Sequence, residues 1–369
     1  MYYCSTIEKA ISGKRITAVE ALLLFKNASL GELGYIANSI TQTKTQNNVS
    51  FIFNIHIEPS NICIYGCRFC AFSTSDPSTG WQLTIDEIIE KVSCLDENIQ
   101  EVHIVGGSNE NCDINYYTTL FQLIKKMKRN IHIKALTASE ISFLSKLSGF
   151  TIKKTLEILK QSGLDSIPGG GAEIFNKSIR KKICPNKISG DKWLKIHETA
   201  HKLDIPSNAT MLYGHFESVE NRIEHLIKLR ELQDKTMMFN CFVPLKFKIF
   251  KQELDEVQNY NSEITEETNI IEDLKMFAIS RILLDNFKYI KTYLPAFGEE
   301  TSLLSLSFGA NDIEGILDPN TKIYASKNYN KNSVSNRDKI ISFIKSAEKN
   351  PVQRDSGYGE VKRKKVKGM

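Results

Sequence analysis

The feature that most constrains this chain is a short loop that holds three cysteines, Cys63, Cys67 and Cys70, in a C-x3-C-x2-C spacing. Thiolates at this density are soft ligands that suit an iron–sulfur cluster or zinc. A cuboidal 4Fe–4S cluster held by three local thiolates keeps one iron without a protein ligand. An open metal position makes a site reactive rather than structural. Phe69, which precedes the third cysteine, could shield such a cluster or stack on a ligand's base.

The same loop, read as C-x3-C-x-aromatic-C, resembles the signature of the radical S-adenosylmethionine enzymes. The resemblance implies two cofactors: a 4Fe–4S cluster on Cys63, Cys67 and Cys70, and S-adenosyl-L-methionine bound through the open iron and consumed as a co-substrate. In that family one electron cleaves the sulfonium to methionine and a 5′-deoxyadenosyl radical, so the cofactor carries the hard chemistry. It also implies a small-molecule substrate and an electron donor such as flavodoxin or ferredoxin.

Two other interpretations of the cysteines stay open at this point. They could belong to a zinc site whose fourth ligand is distant, for example Cys94, Cys112 or His103, or they could be free buried thiols. A zinc-stabilised nucleic-acid-binding protein that uses a basic tail would be the corresponding function.

Charge and composition limit the partners of the chain. The net charge of +5 equals the five positive charges of the terminal stretch, Lys362, Arg363, Lys364, Lys365 and Lys367, so the rest is formally neutral. This distribution argues against nucleic-acid binding by the globular part and predicts a basic disordered tail over 359–369. The sequence has no apolar run long enough for a membrane span, no signal peptide, and cysteines that suit a reducing compartment. We therefore expect a cytoplasmic protein without a membrane partner.

Strand-like and helix-like patterns alternate along the chain, which is typical of βα units around a parallel sheet. The predicted strands are 51–57, 101–105, 131–136, 164–167, 208–213, 239–244, 289–293 and 312–316. The predicted helices are 84–94, 115–128, 139–162, 174–202, 219–235, 267–286, 299–307 and 337–348. Eight strand–helix pairs indicate a (βα)8 TIM-type barrel of the radical S-adenosylmethionine kind, with a partial (βα)6 barrel plus extra helices as the alternative.

Flanking segments complete the predicted domain organisation. Capping-box patterns at Ser5, Thr17 and Ser29 predict an N-terminal helical extension over 1–48. Two further caps, Thr84 with Glu87 and Thr137 with Glu140, mark the starts of later predicted helices. The barrel core covers 49–317, and a C-terminal loop and helix over 318–358 pack on it. Residues 246–265 and 317–336 are polar and irregular, which predicts a long loop or lid and a second loop.

Polar and glycine-rich motifs follow the predicted strands, where barrel active sites lie. Gly106 and Gly107 follow the strand 101–105, and the resemblance implies that they receive the amino group of the methionine moiety, although a tight turn also needs glycine. Glu173 ends a Pro-Gly-Gly-Gly-Ala-Glu run and could bind ribose hydroxyls, or simply complement a helix dipole. Arg180 could grip the methionine carboxylate with a bidentate fork, or lie on a solvated helix face.

Substrate-binding candidates lie at the end of the strand 208–213. We nominate Asn208, Tyr213 and His215 as partners of substrate carboxylates, with His215 also able to shuttle a proton. His56, Glu58 and His103 are further candidates near the cysteine loop. The remaining histidines, His197, His201 and His225, fall on predicted helices and are expected to be structural.

Longer motifs at 130–140, 163–175, 180–185, 207–215 and 229–234 resemble the aminofutalosine synthase family of the futalosine route to menaquinone. The resemblance implies a transferase that adds the 5′-deoxyadenosyl radical to 3-[(1-carboxyvinyl)oxy]benzoate, giving 6-amino-6-deoxyfutalosine. The related cyclic dehypoxanthinyl futalosine synthases share several motifs and stay an alternative. The loops at 108–111 and 246–251 depart from the family pattern on the expected substrate side.

Overall fold

The computed structural model describes residues 2–249, 264, 266–314 and 337–361. The predicted loop 317–336 lies outside these residues, as do most of the predicted loop or lid 246–265 and most of the predicted tail 359–369.

Helices make up the outer layer of the described chain. Their bounds are α1 Tyr2–Ile11, α2 Ala18–Asn27, α3 Leu30–Thr45, α4 Ile85–Ser93, α5 Ile114–Met127, α6 Ala138–Ser148, α7 Ile152–Ser162, α8 Lys177–Ile183, α9 Gly190–His201, α10 Val219–Thr236, α11 Ile270–Leu283, α12 Leu294–Ser305 and α13 Arg337–Ser346. None of the helices in the described ranges is both long enough and apolar enough to cross a bilayer.

The strands pair in parallel. Their bounds are β1 Asn48–Phe51, β2 Asn54–Ile57, β3 Glu101–Ile104, β4 His132–Ala135, β5 Ser207–Tyr213, β6 Phe239–Lys246, β7 Tyr289–Tyr293, β8 Asp312–Glu314 and β9 Asn350–Gln353. One sheet has the order β5-β6-β7-β8-β1-β9 and the other the order β2-β3-β4. Isolated bridges from Lys134 to Ser166 and from Ile167 to Ser207 link β4 to β5. The α/β fold with a parallel sheet is therefore as predicted.

Two predicted strands differ from the structure. The run 51–57 is not one strand: β1 pairs with β8 and β9, β2 pairs with β3, and Ile52 and Phe53 lie between them. The predicted strand 164–167 is reduced to the two isolated bridges. Near-continuous apolar runs carry no sign of such breaks, because parallel strands are buried on both faces and do not alternate.

Helix starts are well predicted, and helix interruptions are not. Capping boxes form at Thr17, Ser29, Thr84 and Thr137, where each threonine or serine accepts from the N3 amide and the N3 glutamate accepts in return. Ser5 is wrong as a cap, since α1 begins at Tyr2. The predicted helices 139–162 and 174–202 are each two helices, α6 and α7 and then α8 and α9. Between α6 and α7, Gly149 adopts a left-handed φ of 70° that ends the first helix.

The terminal segments pack on the central sheet in different ways. The N-terminal helices lie outside it, with α3 against α11 and α2 against α10 and α11. The C-terminal segment extends the sheet, because β9 pairs in register with β1 from Asn48 opposite Asn350 to Phe51 opposite Gln353. The sequence patterns did not predict β9. The segment after β9 also contributes a buried ion pair. The guanidinium of Arg354 donates to both carboxylate oxygens of Asp312 in β8, each at 2.8 Å.

Candidate active site

A cavity of about 340 Å³ opens at the carboxyl ends of the parallel strands, a volume typical of small-molecule sites. Loops after β2, β3 and β4, the glycine run 168–171 and the inward face of β5 contribute to its wall. Among the predicted site residues, those that line it are Cys63, Cys67, Phe69, Cys70, Gly106, Gly107, Glu173 and Asn208, together with His56 and His103. Arg180, Tyr213, His215 and Glu58 are not among the lining residues.

The cysteine loop is seated on the two glycines that follow β3. A Cβ atom on Gly107 would lie 2.0 Å from the carbonyl oxygen of Ile62, and one on Gly106 would lie 2.8 Å from that of Ser60. The amide of Gly107 donates to the Ser60 carbonyl at 2.7 Å. Glycine is therefore required here because the backbone of the cysteine loop packs directly on it. This is a second reason for the glycine pair besides contact with a ligand.

All three cysteines of the loop are free, half-buried thiols that face the cavity. Burial raises the pKa of Cys67 to about 12 and also raises the pKa of Cys63, while the ammonium of Lys187 opposes both shifts. Thiols in this environment stay protonated unless a metal takes the place of the proton. Three thiols on one loop therefore fit a cluster with three protein ligands.

The proposed fourth zinc ligands are not collected beside the thiols. Cys94 is exposed at the end of α4 and Cys112 is buried, and neither lines the cavity. His103 does line it, but it stands within β3 beside His56.

Glu173 forms a buried ion pair that sequence reasoning missed. Its carboxylate lies 2.8 Å from the ammonium of Lys187, with only 9% and 15% of the two side chains exposed. Burial alone would raise the pKa of Glu173, but the charge and hydrogen bond of Lys187 outweigh it and lower the pKa. Lys187 also stands 5.6 Å from the ring centre of Phe69. No local pattern marks Lys187, since its role depends on the loop between α8 and α9 folding over the cavity.

Arg180 is buried and turned away from the cavity, contrary to the predicted carboxylate fork. Its guanidinium donates to the backbone carbonyls of Gly171, Ala172, Ile174 and Ile188. These contacts hold the glycine run against the start of α8 and use the donors that the fork would need. The cation that faces the cavity in this region is Lys187.

The strand β5 separates the nominated substrate residues onto two faces. Asn208, Thr210 and Leu212 line the cavity, because successive side chains of a strand point to opposite faces. Tyr213 has the opposite parity: its hydroxyl donates to Asp273 at 2.7 Å, and Arg222 stands 5.1 Å from its ring centre. The residue numbers show which side chains of β5 share a face. Because both faces are buried, the sequence does not indicate which of the two faces the cavity.

His215 is buried behind the strand end rather than in the cavity wall. Its Nδ1 lies 2.8 Å from the carboxylate of Glu217, and its Nε2 donates to the Leu212 carbonyl at 3.1 Å. Glu217 also accepts from the Gly214 amide at 2.6 Å and from Arg222 at 2.7 Å. Burial would raise the pKa of Glu217, but the contacts with His215 and Arg222 lower it to about 2. His215 and Glu217 thus brace the turn from β5 to α10.

Inside the strand layer, four charged or titratable side chains form what we call the inner cluster: His56 of β2, His103 of β3, Lys291 of β7 and Glu314 of β8. All four line the cavity. Glu314 is ion-paired with Lys291 and accepts from Nε2 of His56 at 3.2 Å and from Asn54 at 2.9 Å. His56 and His103 were sequence candidates, whereas Lys291 and Glu314 lacked any motif.

Family models match most of the chain. The model of the radical SAM superfamily matches residues 57–229, and the model of the CofH/MqnC C-terminal region matches residues 236–366.

Three relatives illustrate how the similarity is distributed. The chain is 35% identical to an aminodeoxyfutalosine synthase of Thermus thermophilus, covering 96% of this chain and 95% of that protein. It is 33% identical to a cyclic dehypoxanthine futalosine synthase of Streptomyces coelicolor, covering 95% and 87%. It is 34% identical to a 5-amino-6-(D-ribitylamino)uracil–L-tyrosine 4-hydroxyphenyl transferase of Methanosarcina barkeri, covering 96% and 91%. The similarity is thus spread over three reactions at nearly equal identity.

Two solved structures share the fold. Methylornithine synthase (PylB) has a TM-score of 0.71 at 18% identity over 94% of this chain and 97% of that chain. The hydrogenase maturase HydG has a TM-score of 0.72 at 16% identity over 95% and 75%.

Proposed function

This chain belongs to the radical S-adenosylmethionine superfamily and, within it, to the CofH/MqnC family, and from that membership we propose that it is an aminofutalosine synthase. The proposed reaction adds the 5′-deoxyadenosyl radical to the enol double bond of 3-[(1-carboxyvinyl)oxy]benzoate. Methionine is released, and rearrangement of the adduct with loss of the enol carboxylate as bicarbonate gives 6-amino-6-deoxyfutalosine, a step of menaquinone biosynthesis.

Superfamily membership implies a 4Fe–4S cluster and S-adenosylmethionine, and the proposed cluster ligands are Cys63, Cys67 and Cys70. When bound, the cluster supplies the single electron that cleaves the sulfonium. The three thiols support this assignment because they face one cavity from one loop. The residues of the chain then hold the cofactor, orient the substrate and keep water away from the radical.

For the binding of S-adenosylmethionine we propose three contributors around the cysteine loop. Gly106 and Gly107 let the backbone approach the methionine moiety, and Glu173 accepts from the ribose hydroxyls. Lys187 takes the carboxylate that the sequence had assigned to Arg180, since its ammonium faces the cavity between Glu173 and Phe69. Phe69 shields the cluster side of this pocket.

On the substrate side, Asn208 keeps its proposed role. Its carboxamide lines the cavity, and its Oδ1 has no hydrogen-bond partner among the described residues. An unpaired buried acceptor is costly, which favours a ligand that donates to Oδ1, whereas a substrate carboxylate would accept from the Nδ2 group of the same carboxamide. Tyr213 and His215 have no proposed contact with substrate, because their polar atoms bond to Asp273, Glu217 and the Leu212 carbonyl.

The observation that carries the choice of reaction is the resemblance of the motifs at 130–140, 180–185 and 207–215 to aminofutalosine synthases. The full-length similarity to the aminodeoxyfutalosine synthase of Thermus thermophilus, at 35% identity, agrees with this choice. The geometry supports it by placing the thiols, Glu173, Lys187 and Asn208 around one cavity.

The test is an anaerobic assay of the protein reconstituted with iron and sulfide. We expect about four irons per chain and, with dithionite, flavodoxin or ferredoxin as the electron donor, conversion of the enolpyruvyl benzoate into an adduct with the mass of 6-amino-6-deoxyfutalosine. A Cys67→Ala variant should lose the cluster and turnover. The matched control Cys94→Ala changes an exposed thiol outside the cavity and should keep both. A colourless protein after reconstitution contradicts the proposal.

The alternatives differ in substrate, so each is offered separately. Products from dehypoxanthine futalosine would favour the cyclase. Coupling of tyrosine to 5-amino-6-(D-ribitylamino)uracil would favour the 4-hydroxyphenyl transferase named among the relatives. Zinc without iron, and salt-dependent nucleic-acid binding that is lost when residues 361–369 are deleted, would favour the zinc-stabilised alternative.

We further propose that the parallel strands close into the predicted (βα)8 barrel core, with the helical extension over 1–48 outside it. Support comes from the stretch 48–57, which pairs with β8 through β1 and with β3 through β2. The bridges at Ser166 and Ile167 stand where the fourth strand of the ring would be. An experimental structure with the cluster bound tests this closure through the backbone hydrogen bonds around the ring.

A further inference from the structure

The inner cluster of His56, His103, Lys291 and Glu314 has no role in the chemistry described so far. We propose that it binds the ring carboxylate of the benzoate substrate, and that this binding takes up one proton from solvent onto His103. The inference deepens the proposed function and rests on it. The benzoate end of the substrate would then point into the strand layer, and substrate affinity would depend on pH.

The two histidines present unused nitrogens to the cavity. Their ring centres are 4.4 Å apart, and only 4% of the His56 side chain is exposed. Nδ1 of His56 and both ring nitrogens of His103 have no hydrogen-bond partner within the described ranges. The nearest approach of His103 to Glu314 is 3.9 Å, which is too long for a hydrogen bond. Buried polar atoms without partners at a cavity wall indicate a ligand that pairs them.

The charges around the inner cluster balance when both histidines are neutral. Glu314 is paired with Lys291, and Lys291 also stands 3.7 Å from Asp312. The other charged side chains facing this region are Glu101 with Lys134 at 2.7 Å, and Asp312 with Arg354 at 2.8 Å. His132 lies farther along β4, where it contacts Ser166 at 2.7 Å. Within the described ranges three acids thus face three bases, and His103 can still gain charge.

This balance favours an anion over a metal ion. Two histidines and a glutamate could in principle coordinate a divalent cation. Such an ion would add two positive charges beside the ammonium of Lys291 in a buried region without a spare acid. A carboxylate adds one negative charge, which a single proton on His103 offsets, and an imidazolium donates from both nitrogens.

Protonation of His103 is coupled to the ligand. Burial, with a smaller contribution from the neighbouring His56, lowers the pKa of His103 to about 4 in the free protein. The imidazole is therefore neutral near pH 7 and has one N–H donor, whereas the imidazolium has two and a positive charge that attracts a carboxylate. A bound carboxylate favours the charged form and raises the pKa. The added affinity is complete at low pH and is lost as the pH rises through the pKa of the complex.

The ring carboxylate is the one that fits this position. In the proposed reaction the enol carboxylate is attached to the carbon next to the radical addition, so it must lie near the cysteine loop. The cysteines stand in a loop beyond the strand ends, whereas the inner cluster lies within the strands themselves. The cavity wall also includes the apolar side chains of Val105, Leu212 and Val243, which suit contact with an aromatic ring.

The experiment compares 3-[(1-carboxyvinyl)oxy]benzoate with its uncharged ring amide in the reconstituted enzyme. In the wild type we expect the amide to have a KM about 10–100-fold higher, the range for a lost charged hydrogen bond. In His103→Gln the KM for the benzoate should rise by the same factor, whereas the KM for the amide should rise less than about threefold. The control His132→Gln, a histidine outside the cavity lining, should keep the wild-type ratio.

The pH dependence provides a second readout. Between pH 6 and pH 8 the wild-type KM for the benzoate should rise, by up to about tenfold per unit for one proton. The KM for the amide in the wild type, and for the benzoate in His103→Gln, should stay flat by comparison. If the enzyme turns over the benzoate but His103→Gln has the same benzoate-to-amide KM ratio as the wild type, this inference is overturned and the proposed function is not. If His103→Gln does not fold, a wild-type benzoate-to-amide KM ratio that does not change with pH overturns it as well.

Failure of the proposed function is recognised separately. If the wild type holds its cluster and cleaves S-adenosylmethionine but forms no adduct with the benzoate, the proposed function fails, and this inference fails with it.

Discussion

At the scale of single residues, the candidate site depends on two residues, Lys187 and Gly107, each of which allows one close contact. Lys187 pairs Glu173 in a nearly closed environment, and Gly107 leaves room for one carbonyl oxygen. Both contacts join segments that fold over the same cavity, so their loss is expected to affect stability and cofactor binding together.

Lys187→Met should destabilise the protein strongly, because it leaves the Glu173 carboxylate buried without its counter-charge. We expect a loss of about 3–5 kcal/mol in the free energy of unfolding, measured by urea denaturation. Lys177→Met is the matched control: Lys177 pairs with Asp191 at 3.4 Å on the surface, and its loss should cost less than about 1 kcal/mol. Equal losses in the two variants would show that the Glu173–Lys187 pair is not effectively buried.

Gly107→Ala should disrupt the seat of the cysteine loop, because the new Cβ would overlap the Ile62 carbonyl. We expect reduced iron content after reconstitution, read from iron analysis and the visible absorption of the cluster. Gly31→Ala offers the control, since a Cβ there meets no atom within 4 Å on the exposed side of α3. A Gly107→Ala protein that loads a full complement of iron would contradict the steric argument.

At the scale of elements, capping residues do more than start helices. Glu140 is the N3 residue of α6: one oxygen accepts from the Thr137 amide at 2.7 Å and the other from the Gly106 amide at 3.1 Å. The same capping box that begins α6 thereby holds the glycine loop after β3. The capping box of α4, formed by Thr84 and Glu87, is exposed and has no such second partner among the hydrogen bonds of Glu87.

Glu140→Ala and Glu87→Ala therefore form a matched pair. We expect Glu87→Ala to cost about 0.5–1 kcal/mol, the value of a surface cap. Glu140→Ala should cost about 1–3 kcal/mol, because two amides lose their partner in a buried setting. Only Glu140→Ala should raise the KM for S-adenosylmethionine. Urea denaturation and steady-state kinetics measure the two effects, and a Glu87→Ala variant that alters the KM would argue against this division.

At the scale of the whole molecule, the C-terminal segment is part of the central sheet rather than an appendage. β9 pairs with β1, and Arg354 inserts its guanidinium beside Asp312 of β8. Tyr358 donates to the same carboxylate at 2.8 Å. A segment from the end of the chain thus compensates a buried acid beneath the inner cluster.

Arg354→Met should lower the stability of the whole fold by about 3–5 kcal/mol, since Asp312 would keep a buried charge without its main partner. Arg337→Met, at the start of α13, removes a 3.3 Å contact with Gln353 within the described part of the chain and should cost far less. Thermal unfolding compares the two. A small effect of Arg354→Met would mean that Lys291 and Tyr358 are sufficient to hold Asp312.

Local sequence patterns sufficed for the features whose physics is local. The cysteine spacing, the alternation of strands and helices, and the capping boxes at Thr17, Ser29, Thr84 and Thr137 depend on residues within a few positions of one another, so they can be read along the chain. Tertiary structure decided the rest: which face of β5 meets the cavity, that Lys187 rather than Arg180 faces it, and that β9 completes the sheet. These outcomes depend on pairs such as Glu314 with His56 and Asp312 with Arg354, which are 258 and 42 residues apart. Burial and charge pairing over such separations exist only once the chain has folded, and no short pattern encodes them.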